Sequence, residues 1–193
     1  MTIVLASASP RRRELLEMLA GSCKLIICPA QGSENPPKGA GPAETVEALA
    51  CAKALEVADK RQPQPDEVIV AADTIVWYKD RIYGKPHSEE EAFDMLSCLS
   101  GQTHAVYTGV SVIHNGAELT EHECTQVTFR DLSDEEIRGY IATGEPMDKA
   151  GAYGAQGIGA LLVKCIEGDF FNVMGLPVCR LGEMLKRTGV KLL

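Results

Sequence analysis

The chain has 193 residues, with 19 basic and 27 acidic side chains, and its formal charge is −8. Hydrophobic residues make up 45% and charged residues 24% of it, which is typical of a globular protein and excludes collagen, low-complexity disorder and a disulfide scaffold. The length favours a single domain. The acidic balance argues against nucleic-acid or anionic-membrane partners, because long polyanions attract a net positive surface. A small phosphate ligand responds only to the local field and is not excluded.

The cysteines and the apolar segments indicate in which cellular compartment the protein is located. Seven cysteines are an odd number, show no CxxC spacing and lie in apolar runs, which favours small core residues in a reducing environment. The four histidines show no HExxH pattern, so we expect no zinc site. No basic segment precedes the N-terminal apolar run, and no run approaches the roughly 18 residues of a membrane helix. We expect a cytoplasmic protein.

The first half of the chain alternates predicted strands with predicted helices. Pro10 opens a helix with Ser9 as its N-cap, since proline suits the first helical position. In chain order we predict a strand at 2–6, the helix that begins at Pro10, a strand at 24–28, a loop at 29–42, a helix at about 43–59 and a strand at 68–78. The loop is rich in proline and glycine, and a loop of that length is usually functional or disordered.

The second half adds an antiparallel pairing. Capping boxes at 88–91 and 133–136 each predict the start of a helix. Between those helices, Asn115-Gly116 predicts a hairpin turn that joins two strands. A glycine-rich stretch at 148–157 precedes a predicted strand at 161–166 and a terminal helix. This mixture favours an α/β or α+β fold over a purely parallel sheet.

Asp73 interrupts the otherwise apolar strand at 68–78, where only Thr74 is also polar. A buried carboxylate without partners costs free energy, so it must pair with a cation, bind a metal or take up a proton. The alternative is an aspartate at the end of a strand that caps a neighbouring helix. We favour a functional role.

Lys53 lies in the middle of a predicted apolar helix face. At about 100° per residue the face is formed by Val46, Leu49, Ala50 and Val57, and a leucine would be expected at position 53. A lysine extends to solvent from the edge of such a face more easily than from its centre. The position therefore favours anion binding.

The segment from Ser7 to Arg13 joins a strand to a helix N-terminus. Such an end offers unpaired backbone N–H groups and a partial positive charge. Two hydroxyls and three arginines beside it favour phosphate, because arginine binds two oxygens at once. The alternative is surface arginines paired with Glu14 or Glu17.

Gly84-Lys85-Pro86 holds a lysine on a turn shortly after the strand of Asp73. No GxxxxGK[ST] loop and no properly spaced GxGxxG motif occur, which excludes a P-loop and a dinucleotide-binding fold. Three to five cations with one or two carboxylates suit a polyphosphate, because the cations neutralise its oxygens while a carboxylate holds a metal or activates water.

Six ordered segments resemble the Maf family of nucleotide pyrophosphatases. They are ASASPRR at 6–12, ADT at 72–74, GKP at 84–86, LSGQTH at 99–104, GEPMDKAGAYGAQG at 144–157 and NVMGLP at 172–177. The resemblance covers nearly the whole chain. It implies one domain over 1–193 with an α/β fold like that of the inosine triphosphatases, in which a mixed sheet with flanking helices forms two lobes around a central cleft.

The resemblance also implies an activity. It implies hydrolysis of a nucleoside triphosphate to the monophosphate and pyrophosphate, with a divalent cation such as Mg²⁺ or Mn²⁺. The stretch at 148–157 is similar to the branch that acts on dTTP and UTP and not to the branch that acts on 7-methyl-GTP. A homodimer remains an open alternative to a monomer.

Carried over by position, Asp73 matches the catalytic aspartate of the family. The specificity positions match Arg11, Thr74 and Gln156. The resemblance implies substrate-binding roles for Ser7, Arg11, Arg12, Glu34, Lys53 and Lys85. Glu34 is aligned through its spacing to Lys53, because the loop reads Gly-Ser-Glu-Asn where the family usually has an Asp-Glu pair. Asp73 and Glu34 are the candidate metal ligands.

These roles suggest cleavage of the α–β bond, with Asp73 either orienting and deprotonating water or holding the metal. Gln156 offers a donor and an acceptor to a pyrimidine edge. An alternative is a nucleotide-binding regulator of cell division without turnover, since the family is associated with septum formation. A triphosphatase that releases orthophosphate is a third hypothesis.

Overall fold

The computed structural model describes residues 1–21, 23–32 and 35–192. Its strands are β1 (Thr2–Leu5), β2 (Lys24–Ile27), β3 (Glu67–Tyr78), β4 (Arg81–Tyr83), β5 (Thr103–His114), β6 (Ala117–Phe129) and β7 (Val163–Glu167). Its α-helices are α1 (Pro10–Ala20), α2 (Pro42–Arg61), α3 (Glu89–Leu99), α4 (Asp134–Ile141), α5 (Phe170–Val173) and α6 (Val178–Arg187). Three short 3-10 helices lie at Glu145–Asp148, Ala150–Ala152 and Gly157–Leu162.

The strands form one mixed sheet in the order β2-β1-β3-β5-β6-β7, with β4 paired to β3. β1 is parallel to both β2 and β3, whereas β4 is antiparallel to β3 and β7 is antiparallel to β6. The parallel pairs need helical crossovers, which α1 and α2 supply. The predicted α/β class, with a mixed sheet and flanking helices, is confirmed.

The chain divides into two compact units. The first comprises Met1–Asp73, Thr108–Glu123 and the segment from Gly175 to the C-terminus. Its described core includes Val4, Ala54, Val57, Ile69 and Ala71, which come from β1, α2 and β3. Lys53 and Asp73 belong to this unit, so the same packing of α2 on the sheet positions both side chains.

The second unit comprises Thr74–Tyr107 and Cys124–Met174. Its core combines aliphatic residues of α3 and α4 with aromatic residues of the sheet and of the glycine-rich stretch. Phe129, His104 and Tyr153 form edge-to-face pairs with ring centroids 4.7 to 5.3 Å apart. The central cleft that the resemblance implies stays a prediction.

The predicted helix starts after Ser88 and Ser133 are confirmed, but only one of the two predicted capping boxes is complete. Ser133 caps α4 in a complete capping box with Glu136. Ser88 caps α3 through the amide of Glu91, but the Glu91 carboxylate accepts from His87 N instead of from the cap residue. That box is therefore only half formed.

The turn between β5 and β6 has the predicted geometry. Asn115 and Gly116 both have positive φ, at 48° and 79°. A two-residue hairpin turn of the type that matches the twist of the strands requires positive φ at both positions.

The predicted strand at 161–166 is wrong in its first residues, because a 3-10 helix covers Gly157–Leu162 and β7 begins at Val163. The amides of Ile158 and Gly159, at the start of this helix, donate to the Glu145 carboxylate. A side chain distant in sequence therefore anchors this segment before the β7 ladder begins.

Two further findings concern membrane-spanning helices and the cysteines. Searched across the described residues, no helix is both long enough and apolar enough to cross a bilayer. All seven cysteines lie within the described ranges, and none of them forms a disulfide. The prediction that they are core residues is wrong, because three of them are exposed and the other four are half-buried.

Candidate active site

Asp73 lies on the central strand β3 and is only 7% exposed. The residues before it, Val70, Ala71 and Ala72, are fully buried. The apolar run that makes this strand a core strand therefore also brings one carboxylate into the protein interior. A carboxylate in that position needs a charged or hydrogen-bonding partner.

Lys53 of α2 supplies that partner. Its Nζ lies 2.6 Å from Asp73 Oδ1, and the two side chains are 15% and 10% exposed. The predicted apolar face of α2 is confirmed, since Val46, Leu49, Ala50 and Val57 are buried. The face turns Lys53 toward the sheet, where its ammonium meets the one carboxylate of the buried part of β3.

A second cluster forms at the start of α1. Arg12 Nη1 donates to Ser7 Oγ at 3.2 Å, and Ser9 N donates to the same hydroxyl at 3.2 Å. Arg12 Nε donates to the backbone carbonyl of Gly175 at 2.8 Å. The guanidinium is thus oriented by contacts on two sides beside a helix N-terminus, an arrangement suited to anions.

The three arginines of this segment have different environments. Arg11 lies half-buried in the first turn of α1. Arg13 instead forms an exposed ion pair with Glu17, its Nε 2.7 Å from Oε1. For Arg13 the surface-pair interpretation is confirmed, and an exposed pair of this kind contributes little to stability.

Three predicted site residues belong to the second unit. Thr74 follows Asp73 on β3 and is half-buried, whereas Lys85 and Gln156 are exposed. The amide of Gly151 donates to the carbonyl of Gly84 at 2.9 Å. This bond attaches the turn that carries Lys85 to the glycine-rich stretch that carries Gln156.

Glu34 lies outside the described residues. The loop that leads to it is attached to α2, because Gln31 N and Gly32 N donate to the two Glu56 oxygens at 2.7 and 2.9 Å. These backbone bonds lower the pKa of Glu56 below its usual range. Across the part of the chain that the structure describes, no group of three or more His, Cys, Asp or Glu side chains could by itself hold a metal.

Sequence reasoning missed the Gly175 carbonyl as a partner of Arg12. The two residues are 163 positions apart, and a backbone carbonyl has no side chain that a pattern could reveal. The segment at 172–177, which contains Gly175, contributes to the family resemblance. That resemblance was the one signal in the sequence that this segment has a role in the site.

Comparison with known proteins identifies the family. The family model described as "Maf-like protein" matches residues 2–188. A protein of Moorella thermoacetica named "dTTP/UTP pyrophosphatase" is 51% identical over 97% of this chain and 95% of its own length. A Bacillus cereus protein of the same name is 46% identical over 97% of this chain and 96% of its own length. The chain belongs to the Maf-like protein family.

One solved structure supports the fold. The nucleoside-triphosphatase / dITP/XTP pyrophosphatase of Mycobacterium abscessus matches with a TM-score of 0.50, over 97% of this chain and 94% of that chain. The identity is 15%, so the likeness shows a shared fold and carries no residue roles. The predicted similarity to the inosine triphosphatase fold is consistent with this match.

Proposed function

We propose that this chain hydrolyses dTTP and UTP at the α–β bond, releasing the monophosphate and pyrophosphate. The observation that carries the proposal is the name that relatives share at 46% and 51% identity over nearly the full length of both chains. The buried Lys53–Asp73 pair supports it, because it unites a carboxylate and a cation of the kind that phosphoanhydride hydrolysis needs.

Asp73 is the proposed catalytic residue. As a general base it would accept a proton from the attacking water at the carboxylate, and Lys53 Nζ at 2.6 Å would orient that carboxylate. As a metal ligand the same carboxylate would bind a divalent cation. Both roles require an ionised aspartate beside the α-phosphate.

We propose that a divalent cation is bound jointly by protein carboxylates and by the phosphates of the substrate. Mg²⁺ prefers oxygen ligands and is usually held by one or two carboxylates together with substrate phosphates and waters. Asp73 offers such a carboxylate, and we propose Glu34 as the second candidate ligand. A bound Mg²⁺ or Mn²⁺ would supply neutralisation of the phosphate charge.

The remaining roles follow the resemblance. We propose that Arg11, Arg12, Lys53 and Lys85 neutralise the triphosphate, with Ser7 as a hydroxyl donor. We propose that Arg11, Thr74 and Gln156 determine the choice of base. Hydrogen bonds to a base edge would reject mismatched bases strongly, because the polar groups of the site would otherwise stay unpaired.

A substrate panel tests the proposal. The purified chain is incubated with dTTP, UTP, modified pyrimidine triphosphates and dGTP, in Mg²⁺ or Mn²⁺, and both products are identified. We expect monophosphate and pyrophosphate, with pyrimidines preferred. Orthophosphate would support a general triphosphatase, while stoichiometric binding without release would support a regulator of cell division.

We propose that the protein is cytoplasmic. A house-cleaning role would follow from activity on modified pyrimidine triphosphates. Such an enzyme removes altered nucleotide precursors before they are used. It therefore needs to recognise pyrimidines as a class and not one particular base. Hydrolysis of at least one modified pyrimidine triphosphate as fast as dTTP is the result that supports this role.

A further inference from the structure

The backbone segment around Gln156 is attached on both sides to one pair of side chains. Before Gln156, Gly154 N donates to Tyr140 Oη at 3.2 Å. After it, Ile158 N donates to Glu145 Oε2 at 3.0 Å, and Gly159 N donates to Glu145 Oε1 at 3.1 Å. A single carboxylate and a single phenol thus hold the chain at three backbone positions.

The two attaching side chains also bond to each other. Tyr140 Oη donates to Glu145 Oε1 at 2.9 Å, so the phenol is a donor to the carboxylate and an acceptor from Gly154. Tyr140 is 4% exposed and packs in the core of the second unit, on α4. The attachment therefore connects the glycine-rich stretch to a helix that the core holds in place.

Burial differs along this short segment. Gly154 and Gly159 are buried, whereas Gln156 between them is exposed. The bonds thus fix the backbone while the glutamine side chain remains accessible. A recognition side chain needs this arrangement, because its geometry must be held within about 0.5 Å by neighbours that are themselves locked.

The Glu145 carboxylate is held in its ionised form. Burial would raise its pKa, but the hydrogen bonds from Gly159, Tyr140 and Ile158 lower it, and the net result lies below its ordinary value. An ionised carboxylate accepts hydrogen bonds at both oxygens, which three converging donors require.

We propose that Glu145, together with Tyr140, is a positioning residue for base selection: it fixes the backbone of Gln156 so that the glutamine amide meets the pyrimidine edge. The inference rests on the proposed function, in which Gln156 contacts the base. Neither Glu145 nor Tyr140 needs to touch the substrate. Their effect passes through the main chain at Gly154, Ile158 and Gly159.

The first test is Glu145→Gln, which keeps the side-chain volume and places an amide N–H against backbone donors. One hydrogen bond left unmade corresponds to a roughly tenfold effect. We expect KM for dTTP to rise by about that factor with kcat nearly unchanged, and the ratio of kcat/KM for dTTP over dGTP to fall similarly.

The second test separates positioning from general loss of stability. Gln156→Ala should by itself reduce the dTTP preference, and adding Glu145→Gln to it should change the preference little further. Positions that act through the same group are non-additive in such a cycle. A merely structural role of Glu145 would instead give additive losses and an equal fall for every triphosphate.

Tyr140→Phe provides a second variant that retains the buried ring and removes only the hydroxyl. It should shift KM and selectivity in the same direction as Glu145→Gln. Glu135→Gln is the matched control, because Glu135 is exposed on α4. It should match the wild type.

Three results would overturn this inference: unchanged selectivity in both Glu145→Gln and Tyr140→Phe, additive effects with Gln156→Ala, or a loss confined to kcat. A wild-type chain that hydrolyses no pyrimidine triphosphate would refute the proposed function, and this inference with it. That failure is visible before any variant is measured, so the two failures are distinguishable.

Discussion

Lys53 and Asp73 form a short ion pair, with Nζ and Oδ1 2.6 Å apart, between helix α2 and the central strand β3. Both side chains are at least 85% buried. Burying two charges is costly unless each has the other within bonding distance. The pair therefore gives each of the two buried charges a partner of opposite sign in the core of the first unit.

Asp73→Asn should still fold, with reduced stability because it removes the carboxylate that faces Lys53, and should lose activity. The amide preserves the shape of the side chain but neither accepts a proton from water nor binds a divalent cation well. General-base assistance contributes roughly 10²–10⁴-fold, so kcat for dTTP should fall by at least about 10²-fold. Pyrophosphate release measures the activity, and circular dichroism checks the fold.

Asp59→Asn is the matched control for this change, because Asp59 is an exposed residue of α2. It should retain wild-type kcat. If Asp73→Asn were as active as the control, Asp73 would be neither the base nor the metal ligand.

Lys53→Met should destabilise the protein by leaving the Asp73 charge buried and unpaired. Breaking one partner of a buried pair costs about 3 kcal/mol. The double variant Lys53→Met/Asp73→Asn should cost clearly less than the sum of the two single changes, because it removes both charges. Urea unfolding of the four proteins measures the cycle.

Lys60→Met is the control for the helix, since Lys60 is an exposed residue of α2. We expect its free energy of unfolding to stay within about 0.5 kcal/mol of the wild type. Strictly additive losses for Lys53 and Asp73 would contradict the energetic coupling between the two residues.

His104 should make stability depend on pH. Burial lowers its pKa to about 4, and its Nε2 lies 2.7 Å from the hydroxyl of Tyr153. In the unfolded chain a histidine takes up its proton near pH 6.5. Between about pH 6.5 and 4 the unfolded state therefore binds more protons, so the free energy of unfolding should fall by about 3 kcal/mol as pH drops through this window.

His104→Gln should remove most of this pH dependence, which unfolding at a series of pH values measures. His87→Gln is the matched control, because the His87 side chain is exposed. It should keep the wild-type slope. An equally steep slope in His104→Gln would assign the pH dependence to other groups.

Gly109→Ala should be strongly destabilising. A Cβ on this β5 residue would overlap the backbone of Val46 and Glu47 in α2, and backbone atoms have little room to move. Overpacking of this severity costs about 3 kcal/mol. The melting temperature should fall accordingly.

Gly182→Ala should instead raise the stability of the protein. Gly182 lies in α6, and a Cβ there would meet no atom within 4 Å apart from its chain neighbours and the backbone of its own helix. Alanine in a helix is about 0.5–1 kcal/mol more stable than glycine. Equal effects of the two substitutions would show that helix α2 yields to the added methyl group.

Much of the fold could be predicted because its signals are local. The caps at Ser88 and Ser133 and the turn at Asn115-Gly116 depend on residues within a few positions of one another. The same holds for the apolar residues that recur along one face of α2. Their spacing identified Lys53 as a charged residue on a face that packs in the core. The strand start at 161 was wrong because the Glu145 carboxylate, distant in sequence, bonds the preceding backbone.

The sequence by itself determined that an acid would be buried at position 73, because the apolar residues on both sides of it place that part of the strand in the core. It also determined the family, since ordered motifs need no coordinates. Only the tertiary structure decided which groups meet: Lys53 with Asp73, and Arg12 with the Gly175 carbonyl. These partners lie 20 and 163 residues apart in the sequence. They meet because the packing of the folded chain brings them within bonding distance, which no local sequence pattern encodes.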